Sequence, residues 1–297
     1  MKNPIYLSVI AAAFTLSANA QLKKPLLPVF TPQTQFELKT TLVQDYYESK
    51  KLKVHQLSTY RYLLTVLSKD TAGTTAIRAT YKGIHFITDD RNDRTITGFN
   101  SDQPDSMVDK SANEDVKATN DLYKQFNHAL LDQSFTIYFN RKGIIEKVTG
   151  VDAAKDYALT RVTGRTEGYL QGFRAGMKTQ DENEEVKATL QKAFDYITPR
   201  PAGIGESWVK VCATELGDIK VNYTLKAAGE ASLHISAAAN ILDPKNKMTV
   251  SRKDSFTVDA QSGLLRNAVI REDVVSTATN PSQIRMNTSG DYTLLVK

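Results

Sequence analysis

The sequence predicts an α+β protein that is predominantly antiparallel β, with two β-meanders flanking a helical insert. Apolar and polar residues alternate with a period of two in several segments of residues 36–150 and again throughout residues 201–297. Between them, residues 151–200 carry the three-to-four-residue spacing of amphipathic helices. The breaks between neighbouring strands are too short for a parallel crossover, which needs a dozen residues or more. We therefore expect a curved, half-barrel-like sheet with the helices on one face.

Residues 1–20 contain, in sequence, the basic, apolar and small-residue regions of a secretory signal peptide. Lys2 lies close to the start, residues 5–16 are almost continuously apolar, and Ala18 and Ala20 supply the small residues that a signal peptidase reads. A membrane anchor is the alternative, but twelve helical residues span about 18 Å and a bilayer core needs about 30 Å. We therefore predict cleavage near Ala20-Gln21, and a mature chain with no transmembrane segment.

The predicted location follows from this cleavage. The mature chain is expected to be extracytoplasmic, in the periplasm or secreted, and no Cys follows the cleavage position to make it a lipoprotein. Its net charge falls from +5 to +4, because residues 1–20 contain Lys2 and no acidic residue. The choice between periplasm and outer surface stays open, as does the oligomeric state.

The first part of the mature chain divides into a leader and a meander. Residues 21–35 contain three prolines and no clear period, which predicts an extended leader. Residues 36–150 are expected to form the first meander with one inserted helix. Ser111 to Glu114 fits a capping box at the start of that helix. A hairpin follows, with its turn over residues 140–143.

Residues 151–200 are predicted to be helical in three segments, 156–162, 167–177 and 182–197. The third has the clearest apolar face, formed by Val186, Leu190, Ala193, Phe194 and Ile197. Pro199 and Pro201 are expected to stop this helix.

Residues 201–297 are predicted to form the second meander of six strands. In the first strand Trp208, Lys210 and Cys212 share one face, so Cys212 is interpreted as a buried small hydrophobe rather than a reactive thiol. Residues 255–265 resemble residues 134–145, which indicates either a duplicated β unit or the ordinary likeness of two hairpins with Gly turns. The sequence leaves open whether residues 36–297 form one domain.

No motif for catalysis, a cofactor, a metal or nucleic acid is present in the sequence. The four histidines are dispersed, and HExxH, paired CxxC, nucleophile-elbow and phosphate-loop patterns are missing. The acidic run over residues 89–93 favours a solvated turn over a calcium loop. Tyr169, Phe173 and Met177 lie at i, i+4 and i+8, and they are candidates to line a ligand cavity between helix and sheet, or else core residues.

A set of short motifs resembles a family of uncharacterised secreted bacterial β-rich proteins, a domain of unknown function. The motifs span most of the mature chain: Phe99-Asn100-Ser101, Val148-Thr-Gly-Val-Asp152, Pro199-Arg-Pro201, Gly205-Glu-Ser-Trp208 and Asp259-Ala-Gln-Ser-Gly263. Asn100 departs from the Asp that is more frequent in this family at its position. Since no function is known for the family, the resemblance implies no catalytic residue.

Three functions are compatible with these observations. The first is a non-enzymatic protein that binds lipid, another apolar ligand or an envelope component. The second is a structural or protein-interaction module of the cell envelope that uses its sheet edges. The third is a hydrolase whose site forms only in three dimensions. We favour the first because the motifs of the usual enzymes are missing.

Overall fold

The computed structural model describes residues 23–92, 95–103, 114–177, 182–214, 217–243, 248–276 and 284–297. The predicted signal peptide, the first three residues of the predicted capping box and Asp93 of the acidic run lie outside the described residues.

The described chain contains fourteen strands and four helices. In the first part the elements are β1 (Lys24–Leu26), β2 (Gln35–Glu48), β3 (Lys51–Lys69), β4 (Thr75–Asp90), β5 (Thr95–Asn100), α1 (Glu114–Leu130), β6 (Ser134–Phe139) and β7 (Ile145–Thr149). The helical segment contains α2 (Val151–Thr160), α3 (Glu167–Met177) and α4 (Glu182–Lys192). The remaining strands are β8 (Thr198–Ala202), β9 (Ser207–Thr214), β10 (Gly217–Ala228), β11 (Ser232–Asp243), β12 (Met248–Asp259), β13 (Leu265–Ser276) and β14 (Ile284–Val296).

Twelve strands form one open, curved sheet, in which each described pair is antiparallel. Its order is β7-β6-β4-β3-β2-β14-β13-β12-β11-β10-β9, and β5 pairs with β4 beside this path. The predicted fold class of two meanders flanking helices is confirmed. The two meanders meet where β14 pairs with β2, from Ile284 opposite Glu48 to Val296 opposite Phe36.

The helices lie on one face of this sheet, which we call the inner face. α1 contacts α2 and β5, α2 contacts β6, and α4 contacts β7. Side chains on this face alternate with outward ones: in β12 the buried residues are Val250, Arg252, Asp254, Phe256 and Val258. The core therefore lies between the helices and the inner face, together with the segment that follows α4.

The helices and strands differ from the prediction in several places, and the short strands β1 and β8 were not predicted. β5 was not predicted, and α2 begins at Val151 rather than at residue 156. The predicted helix 182–197 ends at Lys192, because Phe194, Tyr196 and Ile197 are buried in a turn that packs against the sheet. Their apolar character therefore reflects tertiary contacts and not a continued helical face.

The leader is extended, but it is also part of the core. β1 pairs antiparallel with β8, so that Pro199 and Pro201 lie in a strand. The Phe30 ring lies 6.2 Å from that of Phe36 and 5.1 Å from that of Phe139. The backbone N–H of Val29 donates to the carbonyl of Ser262 at 2.7 Å. The leader therefore ties the end of the first meander to a turn of the second.

The two hairpins that resemble each other in sequence also share a turn chemistry. The Asn140 Oδ1 accepts backbone N–H groups of residues 142 and 144 at 2.8 and 3.1 Å. The Asp259 Oδ1 accepts those of residues 261 and 262 at 3.0 and 2.8 Å. Gly143 and Gly263 then close the turns with φ of +74° and +67°, which side-chain-bearing residues rarely adopt. Duplication and convergence both account for this likeness.

Candidate functional site: a cavity between the helices and the sheet

A cavity of about 640 Å³ lies between the inner face and the helices. Its floor comes from β2, β3, β4, β5 and β14, and includes Thr40, Leu42, Gln56, Ser58, Tyr60, Tyr62, Tyr81, Phe86, Thr88, Thr97 and Tyr292. Its roof comes from the four helices, and includes Asn120, Tyr123, Phe126, Asn127, Leu130, Val151, Lys155, Met177, Glu182, Glu185, Val186, Thr189 and Leu190. The volume is within the usual range for a small-molecule site, about 300–1,000 Å³.

The structure separates the three residues that the sequence proposed for a cavity. Met177, at the end of α3, lines the cavity. The Tyr169 hydroxyl lies 2.7 Å from the Thr119 Oγ1 and donates to the carbonyl of Asp115 at 3.2 Å. The Phe173 ring packs edge-on against Tyr123, with 5.2 Å between centroids. Tyr169 and Phe173 therefore attach α3 to α1, behind the cavity.

Most lining residues were not predicted from the sequence, because they come from strands that are far apart in the chain. A signal was nevertheless present in β3 and β4. Gln56, Ser58 and Thr88 occupy inward positions, where a strand that only packs against a core would carry apolar side chains. Polar residues at inward-facing positions of a strand are therefore the pattern that indicates this cavity.

A cluster of tyrosines forms one wall of the cavity. The rings of Tyr60 and Tyr62 stack with 6.1 Å between centroids, and Tyr81 lies 5.2 Å from Tyr62. Burial raises the pKa of all three hydroxyls above its ordinary value near 10. These groups therefore stay protonated at physiological pH, and the wall offers aromatic faces together with hydroxyl donors.

Asn120 places an unsatisfied donor in the cavity roof. The residue is only 4% exposed, and its side-chain Nδ2 has no hydrogen-bond partner among the described residues. The neighbouring Asn127, by contrast, donates from its Nδ2 to the carbonyl of Tyr123 at 2.8 Å. Because buried polar groups are nearly always paired, the Asn120 amide is suited to an acceptor that occupies the cavity.

The charged groups of the cavity lie on the helices. Lys155 forms an ion pair with Glu182, and both side chains are largely buried. Glu185 lines the cavity one turn farther along α4. Burial is the largest cause of the raised pKa of Tyr60, and the charges of Glu182 and Glu185 raise it further. The negative field of α4 therefore reaches across the cavity to the sheet.

A buried ionic cluster lies beside Tyr292, which belongs to the cavity floor. Arg252 is completely buried, and its Nε donates to both carboxylate oxygens of Asp254 at 3.1 and 2.9 Å. Its Nη2 donates to Asp195 at 3.1 Å, which connects β12 to the segment after α4. Burial raises the pKa of Asp254 to about 6, although Arg252 opposes this shift. The cluster holds the second meander to the helical segment.

The single cysteine is buried, as the sequence predicted. Cys212 lies on the inner face of β9, and its sulfur is 3.2 Å from the Tyr223 hydroxyl. Burial raises the pKa of its thiol to about 11, so the reactive thiolate is scarce at neutral pH.

We expect Cys212 to resist a water-soluble maleimide in the native protein at about pH 7 and to react within minutes after unfolding in urea. Intact-mass spectrometry of the two samples measures the difference. Complete labelling of the native protein at the unfolded rate would show that β9 opens readily.

Other chemistry is sparse in the part of the chain that the structure describes. It contains no group of three or more His, Cys, Asp or Glu that could hold a metal. The Ser232 hydroxyl and the His234 Nε2 are 3.4 Å apart, but Ser232 is half-buried and His234 exposed, and neither residue lines the cavity. None of the described helices has the length and apolar character to cross a membrane.

The motifs that carry the family resemblance have structural roles. The Ser101 hydroxyl accepts the N–H of Ile84 at 2.9 Å and so fixes the end of β5. Glu206 accepts the N–H of Gly203 at 3.0 Å and forms an ion pair with Lys23 of the leader. Hydrogen bonds from the Ser262 N–H and Arg266 hold the pKa of Asp259 well below its usual range. The motifs therefore identify the fold and not a reaction.

These features define a class of protein: an open, curved antiparallel sheet with helices on its inner face and a cavity between the helices and the sheet. A model of a family of unknown function, DUF6263, matches residues 72–265, and the chain belongs to this family.

Comparison with other known proteins adds little about function. No curated protein matches the chain. A solved structure titled "Lipid-protein interactions in lipovitellin" is similar, with 7% sequence identity over 91% of this chain and a TM-score of 0.48. The match covers 25% of the lipovitellin chain. A likeness at this level carries no inference about what the present protein binds.

Proposed function

We propose that this protein is a non-enzymatic binding protein that holds an apolar or amphipathic small molecule, such as a lipid, in the cavity between the helices and the sheet. The cavity itself is the observation that supports this proposal. Its volume suits a small ligand, and its lining combines aromatic and aliphatic side chains with polar ones, which together match an amphipathic molecule.

The first test is native mass spectrometry of the purified protein, followed by solvent extraction of what it carries. We expect an additional mass that disappears on extraction, because transfer of an apolar chain from water to such a cavity is favourable. A protein without ligand that also fails to take up any acyl lipid from mixed vesicles would contradict the proposal.

Filling the cavity is expected to abolish binding. Ser58→Trp places a large ring on the cavity floor, and we expect at least about a tenfold loss of affinity for an apolar dye such as Nile red. Fluorescence titration measures the effect. Ser68→Trp is the matched control, since Ser68 lies exposed in the same strand and away from the cavity. Equal affinities for the two variants would place the dye site elsewhere.

We also propose that the protein works outside the cytoplasm, in the periplasm or as a secreted protein. The support is the signal-like sequence of residues 1–20, with its apolar run and the small residues before Gln21. Expression of the full chain, followed by fractionation and N-terminal sequencing, tests the location. A product that retains Met1 in the cytoplasmic fraction would contradict it.

A second candidate function is a protein-interaction module, and the edge strand β9 favours it. Val209 and Val211 are 62% and 60% exposed on the outer face of this strand, which pairs on one side with β10. Exposed apolar edge strands can add a strand from another chain. Val209→Lys/Val211→Lys should then abolish specific capture of a partner from envelope extracts while ligand binding in the cavity persists.

A further inference from the structure

The hydrogen-bond donors that line the cavity indicate the chemistry of the ligand's polar end. The Asn120 Nδ2 is a buried donor that has no partner among the described residues, so it is complementary to an oxygen acceptor. The protonated hydroxyls of Tyr60, Tyr62 and Tyr81 are additional donors on the same cavity surface. A carbonyl oxygen within an otherwise apolar molecule would satisfy Asn120 without bringing a charge into the cavity.

The charges of the cavity oppose an anionic polar end. Among the residues that the structure describes, Lys155 is the cationic side chain that lines it, and its ammonium is already paired with Glu182. Glu185 is a second carboxylate that lines the cavity on the same helix as Glu182. Burial is the largest cause of the raised pKa of Tyr60, and the charges of Glu182 and Glu185 raise it further, so these carboxylates disfavour another negative group at the sheet. An ionised ligand would lose its hydration and also meet this repulsion.

We infer that the cavity selects a neutral amphiphile with a carbonyl acceptor, such as an acylglycerol, over the free fatty acid with the same acyl chain. The acyl chain contacts the aromatic and aliphatic wall, and the ester carbonyl accepts a hydrogen bond from Asn120. This inference rests on the proposed function, because it names the class of ligand for the same cavity.

The test compares monooleoylglycerol with oleate in displacing Nile red from delipidated mature protein, at about pH 8 where oleate is ionised. We expect monooleoylglycerol to bind about tenfold more tightly, the size of effect that one unfavourable charge interaction produces. Glu182→Gln removes a carboxylate and releases Lys155, so it is expected to tighten oleate binding about tenfold and to change monooleoylglycerol binding less than about twofold.

Glu184→Gln is the matched control, because Glu184 lies exposed on the same helix and pairs with Lys187 rather than lining the cavity. It makes the same change in net charge, and we expect it to leave both affinities unchanged. Asn120→Leu is expected to weaken monooleoylglycerol binding about fivefold, the contribution of one neutral hydrogen bond. Thermal unfolding of this variant shows whether it remains folded.

The outcomes separate the two proposals. If neither compound displaces the dye and no lipid copurifies, the proposed function itself is wrong. If both bind but oleate binds as tightly as monooleoylglycerol, the cavity holds lipids and only the inferred selectivity is wrong. Equal effects of Glu182→Gln and Glu184→Gln on oleate would also overturn the inference, because the selectivity would then reflect net charge rather than the cavity.

Discussion

Replacing Arg252 with Met is expected to lower the free energy of unfolding by about 3–5 kcal/mol, the usual cost of breaking a buried ion pair from one side. Arg252 is fully buried between Asp254 and Asp195, and it donates hydrogen bonds to both carboxylates. Its removal leaves both buried carboxylates without the guanidinium that donates to them. Urea unfolding followed by circular dichroism measures the loss.

The same variant should change the titration of Asp254. Burial already raises the pKa of this carboxyl to about 6, and Arg252 is the group that limits the rise. Without Arg252 the pKa is expected to rise further, because burial then acts unopposed. Carboxyl NMR of both proteins reports this shift. If Arg252→Met only made the protein less stable, the pKa of Asp254 in the native state would be the same in both proteins.

Arg285→Met is the matched control for charge and side chain. Arg285 also forms a two-point pair, with both carboxylate oxygens of Asp273 at 2.9 Å, but the pair is exposed. Exposed ion pairs generally contribute less than about 1 kcal/mol. If Arg252→Met and Arg285→Met lower the free energy of unfolding equally, burial does not explain how much the Arg252 ion pairs stabilise the protein.

Replacing Gly263 with Ala is expected to cost about 2–4 kcal/mol of stability, from two sources. The φ of +67° is unfavourable for a residue with a side chain by about 1–2 kcal/mol. In addition, a Cβ at this position would lie 2.2 Å from the carbonyl oxygen of Leu27 in the leader. Since the clash is with backbone, the leader must move away from the turn.

Gly164→Ala separates these two contributions. Gly164 has a φ of +84°, and a Cβ there would meet no atom within 4 Å. We expect this control to lose only the conformational part, about 1–2 kcal/mol. Hydrogen exchange at Val29, whose N–H donates to the Ser262 carbonyl, should accelerate in Gly263→Ala alone. Identical stability and exchange in the two variants would exclude a role for the leader contact.

Local patterns predicted much of the secondary structure because they depend on neighbouring residues. The alternating segments 134–139, 207–214 and 284–296 predict strands, and β6, β9 and β14 have these same bounds, as α3 has the predicted bounds 167–177. In each strand the alternation is regular, so that periodicity identifies the segment. β5 was missed because six residues beside a polar turn give too short a pattern.

Local patterns do not predict contacts between residues that are far apart in the chain. The apolar run Phe194 to Ile197 continues a helical period in the sequence, but in the structure it forms a turn whose Tyr196 hydroxyl donates to the Gly263 carbonyl at 2.7 Å. The partner lies 67 positions away. Likewise, the alternation in β12 places Arg252 on the buried face, but Asp195, which compensates its charge, belongs to a different segment.

The sequence by itself determined the antiparallel strands, the helical insert and the two turns that require glycine, since these follow from period, chirality and turn chemistry within short segments. Only the tertiary structure decided that β14 joins β2, that the leader packs into the core and that polar strand residues surround a cavity. Such features arise where residues distant in the chain exclude water from one another. That burial depends on the complete fold and not on any single segment.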